Sequence, residues 1–296
     1  MFFLKNKKAA MKKIVSITFM LFLITFKINA QSGWTREAKG FYGQVTASTF
    51  SSHDYYTTTG ALSDQGSTFN SQSLSLYGEY GITDRFTSIL SIPALVLNNF
   101  STTETVAGVG SIKLGFKYKI FKESPIAIQV DFDIPTNNGV NFATAKEADD
   151  FGQINTINLP TSDGEFNVWT NLIASHSFPN GKTYGSIYSG VNFRTESFSN
   201  QFQAGAELGH LFLDKFYLIG KLKIQEKLDS KESGNQNSSF LYGEGTTFTS
   251  FGFNGVYKLN DKYSIVAEYS DYTDILVNRK NIYDGATFSL GLSLEF

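Results

Sequence analysis

The sequence predicts an all-β protein, a twelve-stranded antiparallel up-and-down transmembrane β-barrel that follows an N-terminal signal peptide. Three observations carry this prediction: apolar and polar residues alternate over roughly 10–14 residues at a time, short and long polar connections alternate, and the chain ends in an apolar alternating segment. A period of two with one apolar face is typical of a strand with different surroundings on its two sides. Tilted transmembrane strands need roughly 9–11 residues, whereas soluble strands usually run about 5–6.

The composition excludes several classes of protein. The chain of 296 residues has no cysteine, which excludes a disulfide framework, a thiolate metal site and a thiol nucleophile. Its formal net charge of −2 argues against a nucleic-acid-binding protein, and its 28 Phe and 15 Tyr argue against a disordered chain. We therefore expect no cofactor, no metal site and no nucleic acid among the partners.

Residues 1–30 are predicted to be a cleaved secretory signal peptide. Two lysines precede an apolar run over 14–26, and the small residue Ala30 ends the segment. Met11 begins a compact version of the same pattern, so it is an alternative start of the chain. A retained membrane anchor is the alternative to a signal peptide, but the run is shorter than the ~20 apolar residues of a helical span. The barrel is predicted over 31–296.

The alternation and the turns between the alternating segments define twelve strands. The last is the clearest, with Phe288, Leu290 and Leu292 on one face and Ser289 and Gly291 on the other. The first, sixth and seventh strands alternate poorly, so their inward and outward faces stay open. The predicted strands are 40–50, 71–81, 86–96, 108–120, 126–135, 165–177, 183–194, 200–212, 216–227, 245–258, 263–272 and 285–296.

The connections indicate how the barrel is oriented, because outer-membrane barrels have short periplasmic turns and longer external loops. The short turns, predicted to be periplasmic, contain Asp84, Glu123, Asn180, Asp214 and Asp261. The long connections, predicted to be external, are 51–70, 97–107, 136–164, 195–199, 228–244 and 273–284. The longest of them has enough residues to fold over the mouth of the barrel.

A secreted soluble β-sandwich is the alternative fold, because its strands alternate too. The strand lengths and the alternating connections oppose it, as do aromatic residues at strand ends, where the interfacial girdles of a barrel lie. Phe296 ends the chain in the way of the C-terminal assembly signal of outer-membrane barrel proteins. We therefore expect a monomer in the bacterial outer membrane, whose partners are outer-membrane lipid, the barrel-assembly machinery and periplasmic chaperones.

Three short motifs resemble a known family. They are EYGITDRF at 79–86, GVGSIKLGFKY at 108–118 and DIPT at 133–136. They are similar to the outer-membrane proteins named for the MetA pathway of phenol degradation. The resemblance implies an outer-membrane barrel that transports small, often apolar or aromatic compounds. It implies no catalytic or binding residue, because the family has no settled ones.

If the apolar face of each strand contacts lipid, the polar face lines the lumen. Pairing across the turns then puts Lys113 opposite Asp133, and Glu207 opposite Lys221. Such charges either brace the lumen as ion pairs or select among solutes, and both interpretations stay open. Twelve strands lie between the filled eight-stranded barrels and the open porins, so a narrow channel is expected. The predicted lumen residues are Glu79, Lys113, Lys117, Asp131, Asp133, Arg194, Glu207, Lys221, Lys223 and Glu268.

Pro93 and Pro135 interrupt two of the predicted strands. Proline removes a hydrogen bond from the ladder and is confined to bulges, edges and strand ends. These prolines either mark a bulge or a strand end near the outer rim, or they open a gap in the wall through which an apolar solute could leave sideways into lipid.

Enzyme signals are weak. His176, flanked by Ser175 and Ser177, is the nearest approach to the Ser–His pair of barrel lipid hydrolases. Adjacent residues of a strand point to opposite faces, so they cannot form a nucleophile–base contact. The sequence predicts an outer-membrane channel or transporter for small apolar or aromatic solutes through a narrow charged lumen. The alternatives are a barrel for structure or surface interaction without transport, and a lipid hydrolase.

Overall fold

The structure, a computed structural model, describes residues 32–196, 198–229 and 244–296. The chain forms a closed antiparallel β-barrel of twelve long strands, as the sequence predicts. Within the described ranges, no helix is long and apolar enough to cross a membrane. The signal peptide predicted over 1–30 lies outside the described residues, and so does most of the predicted loop 228–244.

The barrel strands follow one another around the wall, and the last pairs with the first. The long strands are β1 Phe41–Tyr56, β2 Leu62–Thr83, β3 Phe86–Phe100, β5 Ile112–Lys119, β6 Ile126–Ile134, β9 Asn167–Ser177, β10 Thr183–Arg194, β11 Gln201–Phe212, β12 Phe216–Lys227, β13 Phe248–Lys258, β14 Tyr263–Thr273 and β16 Thr287–Glu295. The short strands are β4 Val106–Gly108, β7 Phe142–Thr144, β8 Thr156–Asn158 and β15 Ile282–Asp284. Pairing of β16 with β1 closes the cylinder.

The outward face of the barrel carries an apolar band. Leu290 is 62% exposed and Leu292 60% exposed, although both belong to a regular strand. Aromatic residues at the short-turn end form the girdle that the sequence predicts, with Tyr80, Tyr118, Phe121, Phe212, Tyr257 and Tyr263 all exposed. An apolar band of this extent is stable against lipid and unstable against water, so the barrel spans a membrane.

The first three strands are longer than the sequence indicates, and β3 continues to Phe100 instead of ending at 96. The predicted loop 51–70 is mostly strand, because β1 and β2 stay paired as far as Tyr56 and Leu62. Residues 63–68 are polar on both faces. Above the membrane both faces of a hairpin contact water, so the alternation ends there although the hydrogen-bonded ladder continues.

The wall is irregular around Pro93. The predicted strand 108–120 is divided into β4 and β5, and Ala94 of the facing β3 forms a β-bulge. Gly110 N donates to the Pro93 carbonyl at 2.9 Å within the interrupted stretch. Pro135 follows directly after the end of β6. One proline therefore lies at a bulge and the other at a strand end.

The longest connection dips into the outer end of the barrel. Its short hairpin β7–β8 places Ala143 and Leu159 in a buried cluster with Phe69, Phe100 and Val106 of the wall. Leu159 has no exposed surface. This connection therefore covers part of the outer mouth.

The chain end lies at the seam of the barrel. Phe41 N donates to the Phe296 carbonyl at 2.6 Å, and Phe296 N donates to the Phe41 carbonyl at 3.0 Å. Their rings are 5.3 Å apart between centroids. Phe296 thus extends the closing ladder by one residue pair, while the assembly role assigned to it stays a prediction.

Candidate functional site: a polar chamber in the lumen

A cavity of about 340 Å³ lies inside the barrel. Twelve side chains line it, and all but the indole of Trp169 are charged or amide groups. The charged ones are Lys113, Asp131, Asp133, Asp163, Arg194 and Lys223. The amides are Asn167, Asn192, Gln201, Gln203 and Gln225. We call this cavity the chamber. Its lining places it toward the end of the strands that carries the long connections.

Five of the sequence-predicted lumen residues line the chamber. Lys113 lies opposite Asp133 in the β5–β6 ladder, and the ammonium is 3.2 Å from the carboxylate. Asp131 is 2% exposed and both of its oxygens accept from Gln129 Nε2 at 2.9 Å. These two carboxylates therefore already have donors supplied by the wall.

Amide side chains on β9, β10 and β11 form hydrogen bonds with one another along the inner face of the wall. Gln203 Nε2 donates to Asn171 Oδ1 at 2.6 Å, and Asn192 Nδ2 donates to Asn167 Oδ1 at 3.1 Å. Asn192 is 2% exposed, and its Oδ1 has no hydrogen-bond partner. A buried acceptor without a donor is costly unless water or a ligand supplies one. Period-two analysis of the apolar positions missed these neutral residues.

Arg194 anchors the outer loop to the wall. Its guanidinium forms an ion pair with Glu165, lies 3.7 Å from Asp163 and covers the ring of Phe198 at 4.8 Å. Burial raises the pKa of Glu165 to about 8 against the opposing effect of the guanidinium, and burial also raises the pKa of Asp163. The sequence predicted Arg194 in the lumen but not its acidic partners, because loop 136–164 and its flanks have no periodicity.

Lys223 is the chamber cation without an acidic partner. Its ammonium lies over the ring of Phe248 at 5.4 Å, and among the described residues no carboxylate is within ion-pair distance of it. Lys221, two residues along β12, lies opposite Glu207 and does not line the chamber.

The segment before β1 crosses the short-turn end of the lumen. Gly33 N donates to Ser175 Oγ at 2.7 Å, Trp34 contacts Tyr184 edge to face, and Arg36 N donates to Thr87 Oγ1 at 2.8 Å. These partners belong to β9, β10 and β3, on different parts of the wall. The segment, which we call the N-terminal strap (residues 32–40), therefore narrows this end of the lumen.

Arg36 fixes the strap through an ion-pair cluster. Its Nε lies 2.7 Å from Glu79 Oε2, and a second guanidinium nitrogen pairs with Glu295. Tyr77 OH donates to the other oxygen of Glu79 at 2.6 Å. The sequence predicted Glu79 in the lumen and gave it no partner. An inward acid with no basic neighbour on the adjacent strands was the signal that could have pointed to Arg36.

The half of the lumen nearer the short turns is less polar than the sequence indicated. Inward residues there include Ile89, Ile173 and Ile219, which are fully or almost fully buried. Lys117 and Glu207, at 2% and 7% exposed, lie among them. The remaining predicted residue of the lumen, Glu268, accepts from Asn254 Nδ2 at 2.6 Å. This part of the lumen is packed and the chamber above it is open.

A second depression, of about 700 Å³, lies on the outward face of the wall. Small Ala47 lies at its floor, flanked by Leu74 and Leu95 on one side and Phe288 and Leu290 on the other. It borders the bulge at Ala94, where β3 is irregular. This groove is apolar and faces lipid.

Residues that suggested enzyme chemistry are not arranged for it. Ser175 Oγ is 2.6 Å from Ser186 Oγ inside the barrel, whereas His176 points outward and packs edge to face on Phe178. In the part of the chain that the structure describes, no three His, Asp or Glu side chains are placed to hold a metal ion.

Comparison with known proteins shows the fold and no sequence family. No family model matches the chain, and no curated protein matches its sequence. The structure is similar to an outer membrane channel from Pseudomonas putida F1, with a TM-score of 0.66 at 13% identity, over 91% of this chain and 100% of that one. It is also similar to the translocator domain of the autotransporter NalP from Neisseria meningitidis, with a TM-score of 0.53 at 9% identity, over 98% of each chain.

These likenesses establish a shared outer-membrane barrel fold. Together with the apolar band, they support the predicted location in the bacterial outer membrane. No sequence match supports the name of the MetA-pathway family, so that resemblance stays at the level of a barrel similar to outer-membrane channels.

Proposed function

We propose that the protein is an outer-membrane channel for small solutes, with the chamber as the selective part of a narrow charged lumen. The observation that carries the proposal is the cavity of about 340 Å³ inside a closed barrel, lined almost entirely by charged and amide groups. A wall of this kind replaces the hydration of a small solute and selects by charge and hydrogen bonding.

Passage through the lumen requires the strap to move. The strap crosses the lumen below the chamber and contacts β3, β9 and β10 through side chains and single hydrogen bonds. Backbone hydrogen bonds to β2 begin only at its end, where Lys39 N donates to the Gly81 carbonyl at 2.7 Å and Gly81 N donates to the Gly40 carbonyl at 2.9 Å. Residues 32–38 can therefore shift without breaking a strand pairing. A channel gated by the strap would pass solutes one at a time at a low basal rate.

The apolar or aromatic solute expected from the family resemblance stays a prediction. The chamber itself favours polar solutes, because a single aromatic side chain interrupts its polar lining. An apolar solute would find its complement in the outward groove beside Ala94, where the wall is irregular. Such a solute would leave the lumen sideways at the bulge.

Solute flux into liposomes tests the proposal. Asn192→Trp fills the chamber from β10, and Val191→Trp on the same strand adds the same side chain to the lipid face. We expect glycerol and small sugars to enter liposomes that contain the wild type or Val191→Trp, and entry to fall at least severalfold with Asn192→Trp. Heat-modifiable gel mobility checks that each barrel is folded.

Two outcomes would contradict the channel. One is solute entry no faster than into protein-free liposomes for the folded wild type. The other is equal entry through the two Trp variants, which would place the path outside the chamber. For the lateral path, Ala94→Trp should slow the uptake of toluene across the outer membrane of whole cells and leave glycerol uptake unchanged.

A further inference from the structure

The geometry points to a ligand for the chamber: we propose that it binds a small carboxylate that also carries hydroxyl groups, such as a sugar acid. The inference rests on the proposed channel function and names the solute class of the same site. It starts from the balance of charges in the chamber. Three acidic and three basic residues line it, so its lining is neutral overall.

The acids of the chamber are already engaged. Asp133 pairs with Lys113 at 3.2 Å, and Asp131 is buried with both oxygens bonded to Gln129. Asp163 faces Arg194, whose guanidinium also pairs with Glu165. Each carboxylate of the chamber therefore already faces a basic or amide group of the protein, so a cationic solute would have to compete with these groups; Asp163 keeps one oxygen that accepts no hydrogen bond among the described residues.

One cation remains for a ligand. Lys223 projects from β12 into the chamber, and its ammonium lies over the face of the Phe248 ring at 5.4 Å, with no carboxylate of the described residues within ion-pair distance. A ring face stabilises an ammonium group far less than a carboxylate does in a confined, weakly screened space. Lys113 lines the same cavity from β5, almost across the barrel, so a small anion bound to Lys223 also gains from a second positive group.

Two acceptors of the chamber near β10, two strands along the wall from Lys223, lack donors. Asn192 Oδ1 and Asp163 Oδ1 are buried, and among the described residues neither accepts a hydrogen bond. Both residues line the cavity. A ligand that supplies hydroxyl donors to these two acceptors and a carboxylate to Lys223 would satisfy all three groups at once. An apolar solute would leave them unpaired.

The size of the cavity agrees with this class. About 340 Å³ accommodates one monosaccharide-sized molecule and excludes a long chain. The single aromatic side chain of the lining, Trp169, offers an apolar surface for the C–H face of a sugar ring. Glucuronate therefore serves as the probe, glucose as the same ring without the carboxylate, and benzoate as a carboxylate without hydroxyl groups.

Lys221 provides a matched control for Lys223. It has the same charge, lies on the same face of the same strand and does not line the chamber. Lys223→Gln and Lys221→Gln therefore change the net charge of the lumen equally. A preference that comes from the overall lumen field would fall in both variants, and a preference that comes from the chamber would fall only in Lys223→Gln.

Equilibrium dialysis of the detergent-solubilised full chain against labelled glucuronate measures binding, and flux into liposomes measures passage. We expect saturable binding of glucuronate and weaker binding of glucose and of benzoate. Lys223→Gln should weaken the binding of glucuronate about tenfold, because one charge-assisted hydrogen bond is lost. Lys221→Gln should leave the affinity unchanged. Flux of glucuronate should saturate in the same concentration range.

Equal binding of glucuronate and glucose, or equal loss in both lysine variants, would overturn the carboxylate site while leaving the channel intact. Binding without flux of any solute would leave the site intact and overturn the channel. If benzoate binds as tightly as glucuronate, the hydroxyl part of the inference is wrong.

Discussion

The guanidinium of Arg36 lies 2.7 Å from the carboxylate of Glu79, and this pair ties the strap to the wall of the barrel. Both side chains are almost fully buried, at 5% and 8% exposed. Removing one partner of a buried pair leaves the other charge unpaired, which costs about 3 kcal/mol or more. The pair is therefore a strong contribution to holding the strap in the lumen, beside the hydrogen bonds to Ser175 and Thr87.

Arg36→Gln should release the strap. We expect the strap to lose this anchor and the carboxylate of Glu79, left without its ion-pair partner, to draw water into the lumen, so that single-channel conductance rises and closed intervals shorten. Arg36→Lys keeps the positive charge but not the forked geometry of the guanidinium, so its conductance should lie between those of Arg36→Gln and the wild type. A conductance unchanged in Arg36→Gln would show that the strap does not restrict the lumen.

Reversing charges tests the chamber wall at Lys113 and Asp133. Asp133→Lys should place two positive charges in directly opposed positions and lower stability by on the order of 1 kcal/mol. Lys113→Asp should do the same, and the double reversal should recover most of the loss. Melting in detergent measures each variant. Additive losses in the double variant would mean that the two side chains do not interact.

This pair also shows what the sequence could predict. A short turn and a period of two together fix the register of β5 and β6, so Lys113 and Asp133 follow from counting. The contact between Arg36 and Glu79 cannot be predicted in this way, because residues 32–40 have no periodicity. The two partners are also 43 positions apart, with no turn between them to set a register. The contact of Arg36 with Glu295 spans 259 positions.

The same reasoning explains the missed parts of the outer end. Alternation of apolar and polar residues indicates a strand that has lipid on one side and the lumen on the other, so the pattern ends where β2 extends beyond the membrane. For the same reason the pattern did not predict β7 and β8 inside the loop. Leu159 and Ala143 are buried by the loop folding back, which local patterns do not encode.

The outer loop should respond to pH through Glu165. Burial raises its pKa from 4.5 to about 8, so the folded protein binds more protons than the unfolded chain between these values. The stability of the docked loop is therefore greatest at acid pH and falls as the pH rises from about 4.5 to about 8. Hydrogen exchange of the loop amides at several pH values measures this.

Glu165→Gln is the control for that pH dependence. It removes the largest titrating group and keeps a hydrogen-bonding side chain beside Arg194. We expect the protection factors of the loop amides, from which the intrinsic pH dependence of exchange has been divided out, to vary much less with pH in this variant. A smaller dependence should remain because the pKa of Asp163 is raised in the same direction. The same pH profile in both proteins would exclude Glu165 as its source.

The topology can be tested with two equally exposed positions. Phe151, in the longest loop, is 88% exposed, and Leu213, in a short turn, is 91% exposed. Because the chain has no cysteine, a single substituted cysteine is the only thiol. An impermeant maleimide should label Phe151→Cys on intact cells and Leu213→Cys only after lysis. The reverse pattern would invert the barrel.

Phe296 should be needed for efficient assembly. Its backbone extends the seam with Phe41, and its ring packs on the Phe41 ring. Deleting Phe296 should lower the heat-modifiable, membrane-inserted fraction severalfold, whereas Phe296→Tyr keeps the backbone and an aromatic ring and should assemble normally. Wild-type yield of the deletion variant would rule out this role.

The claim that solutes pass through the chamber is tested most directly by single-channel recording with a cysteine in its wall. Gln203 lines the chamber from β11, and the adjacent Phe202 points to the lipid face. A charged, thiol-specific reagent should lower the current of Gln203→Cys in one irreversible step and leave Phe202→Cys unchanged. Modification of Gln203→Cys, verified by mass spectrometry, with no change in current would contradict the account.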